Sequence, residues 1–110
     1  MWANHLTERY GIWIKDIPFK EVICTCEHIE DHKLTTGVKK IRWSHPSPME
    51  VSHAARIVVY NPLNSDEGFL ACAGPRENLI VIGESSLYDM VCIGWPFDNG
   101  RLFANVIYPR

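Results

Sequence analysis

The chain lacks the marks of several large functional classes. No apolar run approaches the roughly 20 residues that span a bilayer, and runs such as Leu79-Ile80-Val81-Ile82 are strand-sized. Met1–Arg9 has no basic stretch leading into an apolar one, so it does not read as a signal peptide. Neither Gly-x-Gly-x-x-Gly nor Gly-x4-Gly-Lys-Ser/Thr occurs, and the seven glycines are scattered at turn-like sites. Nucleotide cofactors held on glycine-rich loops are therefore not expected. Gly83-Glu84-Ser85-Ser86 lacks the second glycine of a nucleophile elbow. Internal repeats, linkers and low-complexity tracts are missing too.

Charge is equally unhelpful to a polyanion. Eleven Lys and Arg against thirteen Asp and Glu leave a formal charge of −2. That balance gives no general electrostatic pull toward nucleic acid or anionic lipid. The halves differ slightly: residues 1–60 hold eight basic and seven acidic side chains, and 61–110 hold three and six.

What is present is an ordinary globular composition, 46% hydrophobic and 22% charged over 110 residues. A single domain over 1–110 is expected, large enough to bury one core. Four Trp, four Tyr and four Phe make that core, or a binding surface, rich in rings. The four cysteines are Cys24, Cys26, Cys72 and Cys92. Cys72 and Cys92 lie among apolar neighbours, where a free thiol packs as a small hydrophobe. Reduced thiols and a cytoplasmic location follow as expectations.

The pattern predicts an α+β fold: a strand-rich, mostly antiparallel sheet of six to eight short strands with one or two short helices. Asn4 and Gly11 bracket a helical turn over 5–10. Ile12–Lys15, Phe19–Cys26 and Val38–Trp43 read as strands, the second with Val22, Cys24 and Cys26 on one face. Ser47-Pro48-Met49-Glu50 has the Ser, Pro and Glu spacing of a capped helix start, expected to run to about Arg56. Ile57–Tyr60 and Leu79–Ile82 are apolar on both faces, like interior strands. Asn61-Pro62, Ser65–Gly68 and Gly74–Asn78 read as breaks around a strand at Phe69–Ala73. Ser86–Ile93 mixes helix and strand signals and is read as strand from about Tyr88. Asp98-Asn99-Gly100 carries a hairpin signal, making Leu102–Tyr108 a returning strand.

Four groups of residues could carry chemistry. Cys24, Cys26, His28 and His32 are zinc-ligand types. In an extended strand, however, Cys24 and Cys26 stand about 6–7 Å apart, so two core thiols followed by solvated histidines is the better reading. His5, His28, His32, His45 and His53 are potential bases, but nothing in the spacing sets one beside a nucleophile. His5-Leu6-Thr7 and His45-Pro46-Ser47 echo the His-x-Ser/Thr pairs of two-histidine phosphoesterases only as tripeptides. Lys39-Lys40-Ile41-Arg42-Trp43 combines charge with a ring, as single-strand nucleic-acid binders do. On a strand it separates Lys40 and Arg42 from Ile41 and Trp43, as any half-buried strand would.

With no catalytic or cofactor fingerprint, recognition is the simplest expectation: a small non-catalytic protein, accessory, regulatory or inhibitor-like, that binds another macromolecule. A protein is the expected partner, with nucleic acid less favoured, and no membrane, cofactor or metal is expected. The expected contact surface is a charged open strand edge at Lys39, Lys40, Arg42 and Trp43. A small enzyme using histidine or cysteine is the alternative, and a zinc module the third.

Overall fold

The computed structural model of the protein describes residues 4–15, 23–52, 54–83 and 97–108. A short helix, α1 (Asn4–Thr7), passes into a 3-10 turn over Glu8–Tyr10 that stops at Gly11 in the left-handed region, φ 83°. Strand β1 (Ile12–Ile14) follows, then β2 (Ile23–Cys26) and a 3-10 turn at Lys33–Thr35. Next come β3 (Ile41–Ser44), β4 (Met49–Val51), β5 (Ala55–Asn61), β6 (Asn64–Ala73) and β7 (Leu79–Ile82), and a second helix, α2 (Asn99–Ile107). The expected strand-rich, antiparallel α+β architecture is what forms, with seven strands and two helices among the described residues.

All pairings among these strands are antiparallel. The larger sheet runs β1-β4-β6-β5, with β7 also on β6, and β2 and β3 make a separate pair. Strand β6 is the spine: β5 lies along one edge, so β4 (at Gly68) and β7 (along Leu70–Ala73) share the other. Its residues from Glu67 to Ala73 are all buried, as a strand covered on both faces requires. One buried cluster gathers Cys24, Cys26, Leu34, Ile41, Trp43, Val58, Phe69, Leu70, Cys72 and Leu102. The other holds Ile12, Ile14, Met49, Ala71, Ala73 and Val81. The β2–β3 pair and α2 thus share a core with β5 and β6, and β1 stands at the far end of the sheet path.

Four expectations are corrected here. Met49–Val51 is a strand, not a helix: Met49 is wholly buried and Glu50 exposed, the period-two pattern of a sheet. An N-cap contributes about 1 kcal/mol, whereas burying a methionine side chain contributes about 1.5–3 kcal/mol, so packing outweighs the cap. Pro48 needs no donor at this strand entry and still accepts from Lys15 N–H at 2.8 Å. Residues 102–107 are helical, not a returning strand. Leu102 and Val106, four apart, turn to the core, and Phe103 and Ile107 face outward. Ser65–Gly68 belongs to β6 rather than to a turn. Gly68 is there for clearance, because a Cβ would overlap the Ile57 side chain and lie 2.9 Å from Val59 O. Of the two strands expected inside the sheet, β5 is flanked on both sides, since His28–Glu30 bonds to its outer edge. Strand β7 has a described strand partner on one side only.

The outer edge of β1 is closed by side chains. Asn4 Oδ1 accepts from Ile14 N–H at 2.8 Å and its Nδ2 donates to Ile14 O at 2.9 Å. Thr7 Oγ1 donates to Ile12 O at 3.0 Å. The expected strand segment at 19–22, His53, Cys92 and the segment 86–93 lie outside the described residues.

Candidate functional site

Among the described residues, the densest gathering of reactive side chains joins three separate loops and strands. His32 sits at the entry of the Lys33–Thr35 turn, Cys72 near the end of β6, and Glu77 in the turn that leads to β7. His32 Nε2 is 3.5 Å from Cys72 Sγ and 3.3 Å from Glu77 Oε2, and the Cys72 thiol donates to Glu77 Oε2 at 3.0 Å. The His32 side chain is 3% exposed and that of Glu77 37%; Cys72 is fully buried.

Local backbone chemistry holds each member. His32 caps its turn reciprocally: Nδ1 accepts from Leu34 N–H at 3.1 Å, and Thr35 Oγ1 accepts from His32 N–H at 3.0 Å. Glu77 adopts φ 54°, an uncommon conformation for a residue with a long side chain, and donates its N–H to Gly74 O at 3.0 Å. Lys33 Nζ donates to Arg76 O at 3.0 Å, tying the two turns together beside the cluster. Arg56 flanks it, with Nη1 3.8 Å from Glu77 Oε1.

As it stands, the trio is not an activated nucleophile. Burial, reinforced by the hydrogen bond to Glu77, pushes the Cys72 thiol up to about 12, so it stays protonated where a nucleophile would be a thiolate. The Cys72 thiol donor holds the Glu77 carboxyl below its usual range, with His32 and Arg56 assisting against burial. His32 has no nitrogen to spare as a base. Because Nδ1 accepts a backbone N–H, the neutral ring carries its proton on Nε2, pointing at Glu77. The three ligand atoms do lie close enough together to hold a metal ion.

No protein-family model and no curated protein matches the chain. Among solved structures it is similar to one described as "mmIFT52 N-terminal domain", with a TM-score of 0.66 and 16% sequence identity. The match covers 94% of this chain and 55% of that one, so the chain spans about half of the other's length. The likeness is one of fold.

The residues singled out in the sequence are placed differently from expectation. Trp43 is wholly buried, its ring 5.4 Å from that of Phe69 at 59°, so it offers nothing to a partner. The edge it was expected to flank is also occupied. Asp98 Oδ2 accepts from Lys39 and Lys40 N–H at 2.8 and 3.0 Å. Asn99 Oδ1 accepts from Arg42 N–H at 3.0 Å and its Nδ2 donates to Arg42 O at 2.8 Å. Lys40 Nζ lies 3.5 Å from Glu27, and Arg42 stacks over Phe97 at 4.5 Å. Lys39 is exposed.

Cys24 and Cys26 are the expected core thiols, both buried. Contact with Cys24, together with burial, pushes the Cys26 thiol far up. His28 stacks on Tyr60, ring centroids 4.1 Å apart, and only His32 of the expected zinc set reaches other ligand types. Cys72 and Glu77 were invisible as site residues. They lie 40 and 45 positions beyond His32, and no local spacing signals such a meeting.

Elsewhere, Leu6, Tyr10 and Trp13 leave apolar surface in solvent, Trp13 at 47%. Trp13 lines an open groove of about 270 Å³ with Glu8, Gly11, Ile12, Glu50, Val51 and Ser52. No helix among the described residues is long and apolar enough to cross a membrane.

Proposed function

We propose that the chain is a non-catalytic protein-interaction domain and that the α1–β1 corner is its contact surface. The observation that carries this reading is Trp13, held by its pairing with Glu50 in β4 yet half in solvent beside an acidic-rimmed groove. Tryptophan and tyrosine are the residues most enriched where partners dock tightly. The protonated Cys72 thiol and the fully engaged His32 weigh against the enzyme alternative.

Lys39, Lys40 and Arg42 remain a second candidate surface for a partner, through side chains alone, since their backbone edge is already bonded. Affinity capture from a lysate with wild-type, Trp13→Ala and Lys39→Glu/Lys40→Glu proteins separates the two. A partner retained by wild type and the charge variant but lost on Trp13→Ala, with unchanged circular dichroism, supports the corner. A partner retained by Trp13→Ala and lost on charge reversal assigns the cationic face instead.

A further inference from the structure

We propose that His32, Cys72 and Glu77 form a binding site for a divalent transition ion, zinc being the fitting choice, with a fourth position left for water. The distances carry the argument. A tetrahedral zinc with Zn–S near 2.3 Å and Zn–N or Zn–O near 2.0–2.1 Å sets its ligand atoms about 3.3–3.5 Å apart. Here nitrogen to sulfur is 3.5 Å and nitrogen to oxygen 3.3 Å. Sulfur to oxygen is shorter, 3.0 Å, because the thiol proton lies between them. An ion replacing that proton would move the two apart by about half an ångström to regular geometry. The placement is built: His32 is held by its backbone N–H to Thr35 Oγ1, Cys72 by the central strand, and Glu77 by a left-handed backbone conformation. Glu77 is the only member partly in solvent, and so marks the way in.

The proton balance is specific. The ion displaces the Cys72 thiol proton to solvent, and thiolate plus carboxylate neutralise its two charges. His32 must offer the Nε2 lone pair, so its ring proton moves to Nδ1. That nitrogen then faces Leu34 N–H donor to donor, so the 3.1 Å bond is lost and the Leu34 amide must turn away. One proton leaves per ion, so affinity rises about tenfold per pH unit while the thiol is protonated. Arg56, 3.8 Å from Glu77 Oε1, and Lys33, bonded to Arg76 O, are the nearby cations that oppose entry.

Titration of the whole chain with Co²⁺ tests this, since cobalt reports thiolate ligation by a charge-transfer band and tetrahedral geometry by its visible bands. One equivalent is expected, displaced by Zn²⁺, lost in His32→Gln and Cys72→Ala and kept in Cys24→Ala. The Leu34 amide resonance should shift on binding. Glu77→Gln, on a partly exposed turn, keeps the fold and should weaken binding several-fold even if the Cys72 variant does not fold. No thiolate band, a band that survives Cys72→Ala, or unchanged affinity in Glu77→Gln with an unmoved Leu34 amide would each overturn the site.

Discussion

Asn99 faces Arg42 as the residue of a neighbouring strand would, accepting from its N–H and donating to its C=O through one side-chain amide. Asn4 does the same to Ile14 on the other sheet. Both asparagines are buried, at 0% and 3%. An amide is the side chain that can supply a donor and an acceptor at once. Each closes a strand edge that would otherwise invite pairing with another chain.

Asn99→Ala should therefore destabilise the protein by about 2 kcal/mol or more, because two backbone groups lose their partners away from water. Asn99→Asp keeps the acceptor but sets a carboxylate oxygen against the Arg42 carbonyl. Its deficit relative to wild type should shrink at acid pH, where the protonated acid can donate again. Urea melts of the three proteins at neutral and acid pH check both expectations. A deficit that grows on acidification would show that the amide is not acting as the donor to Arg42.

Ser47→Ala and Met49→Ala test the corrected identity of residues 47–51. Removing a functional N-cap would cost about 1 kcal/mol; here Ser47 engages Gly83 through its backbone, N–H to O at 2.8 Å. Ser47→Ala should change stability by no more than about 0.5 kcal/mol. Met49→Ala, in the core behind β1, should cost about 2–5 kcal/mol. A large Ser47 effect with a small Met49 effect in chemical denaturation would favour the capped helix instead.

Much of the architecture was legible because it rests on local alternation. Cys24, Cys26, Ile41 and Trp43 fall on the buried side of their strands as their spacing implies, and Gly11 stops the first helical segment. The failures came where tertiary contacts outweigh local signals. Asn99-Gly100 is a hairpin pair by chemistry, yet Asn99 is engaged by Arg42, and Leu102 and Val106 bury one helical face. The His32–Cys72–Glu77 cluster depends on β6 running the length of the sheet and on the turn after it. A strand whose first half looks like a turn, Asn64–Gly68, concealed that path.

Two glycines should respond oppositely to alanine. Gly100 lies in α2, and a Cβ added there would meet nothing within 4 Å. Gly100→Ala should stabilise by about 0.5–1 kcal/mol through helix propensity and a less flexible unfolded chain. Gly68→Ala would drive a methyl into Ile57 and Val59 O between β5 and β6, and should lower stability by about 1–3 kcal/mol. Thermal melts of the pair decide it, and a Gly68→Ala protein as stable as wild type would mean that the β5–β6 contact is looser than described.

Cys72 and Glu77 give the protein a pH signature at both ends. The Glu77 carboxyl is held below its usual range, chiefly by the Cys72 thiol. Its contribution is present above the ordinary carboxylate range and lost as pH falls through the lowered folded value. The Cys72 thiol is raised from 9.0 to about 12. Its contribution is whole below about pH 9 and declines from there toward 12, where the unfolded thiol is ionised and the folded one is not. Reactivity follows, since alkylation proceeds through the thiolate. Cys72 should alkylate far more slowly in the folded chain than in urea, and Glu77→Gln, which removes the carboxylate but leaves burial, should speed it only in part. Cysteine-by-cysteine mass spectrometry after a timed iodoacetamide pulse measures both rates. Labelling of folded Cys72 at the unfolded rate near neutral pH would show that the thiol is neither buried nor held by Glu77.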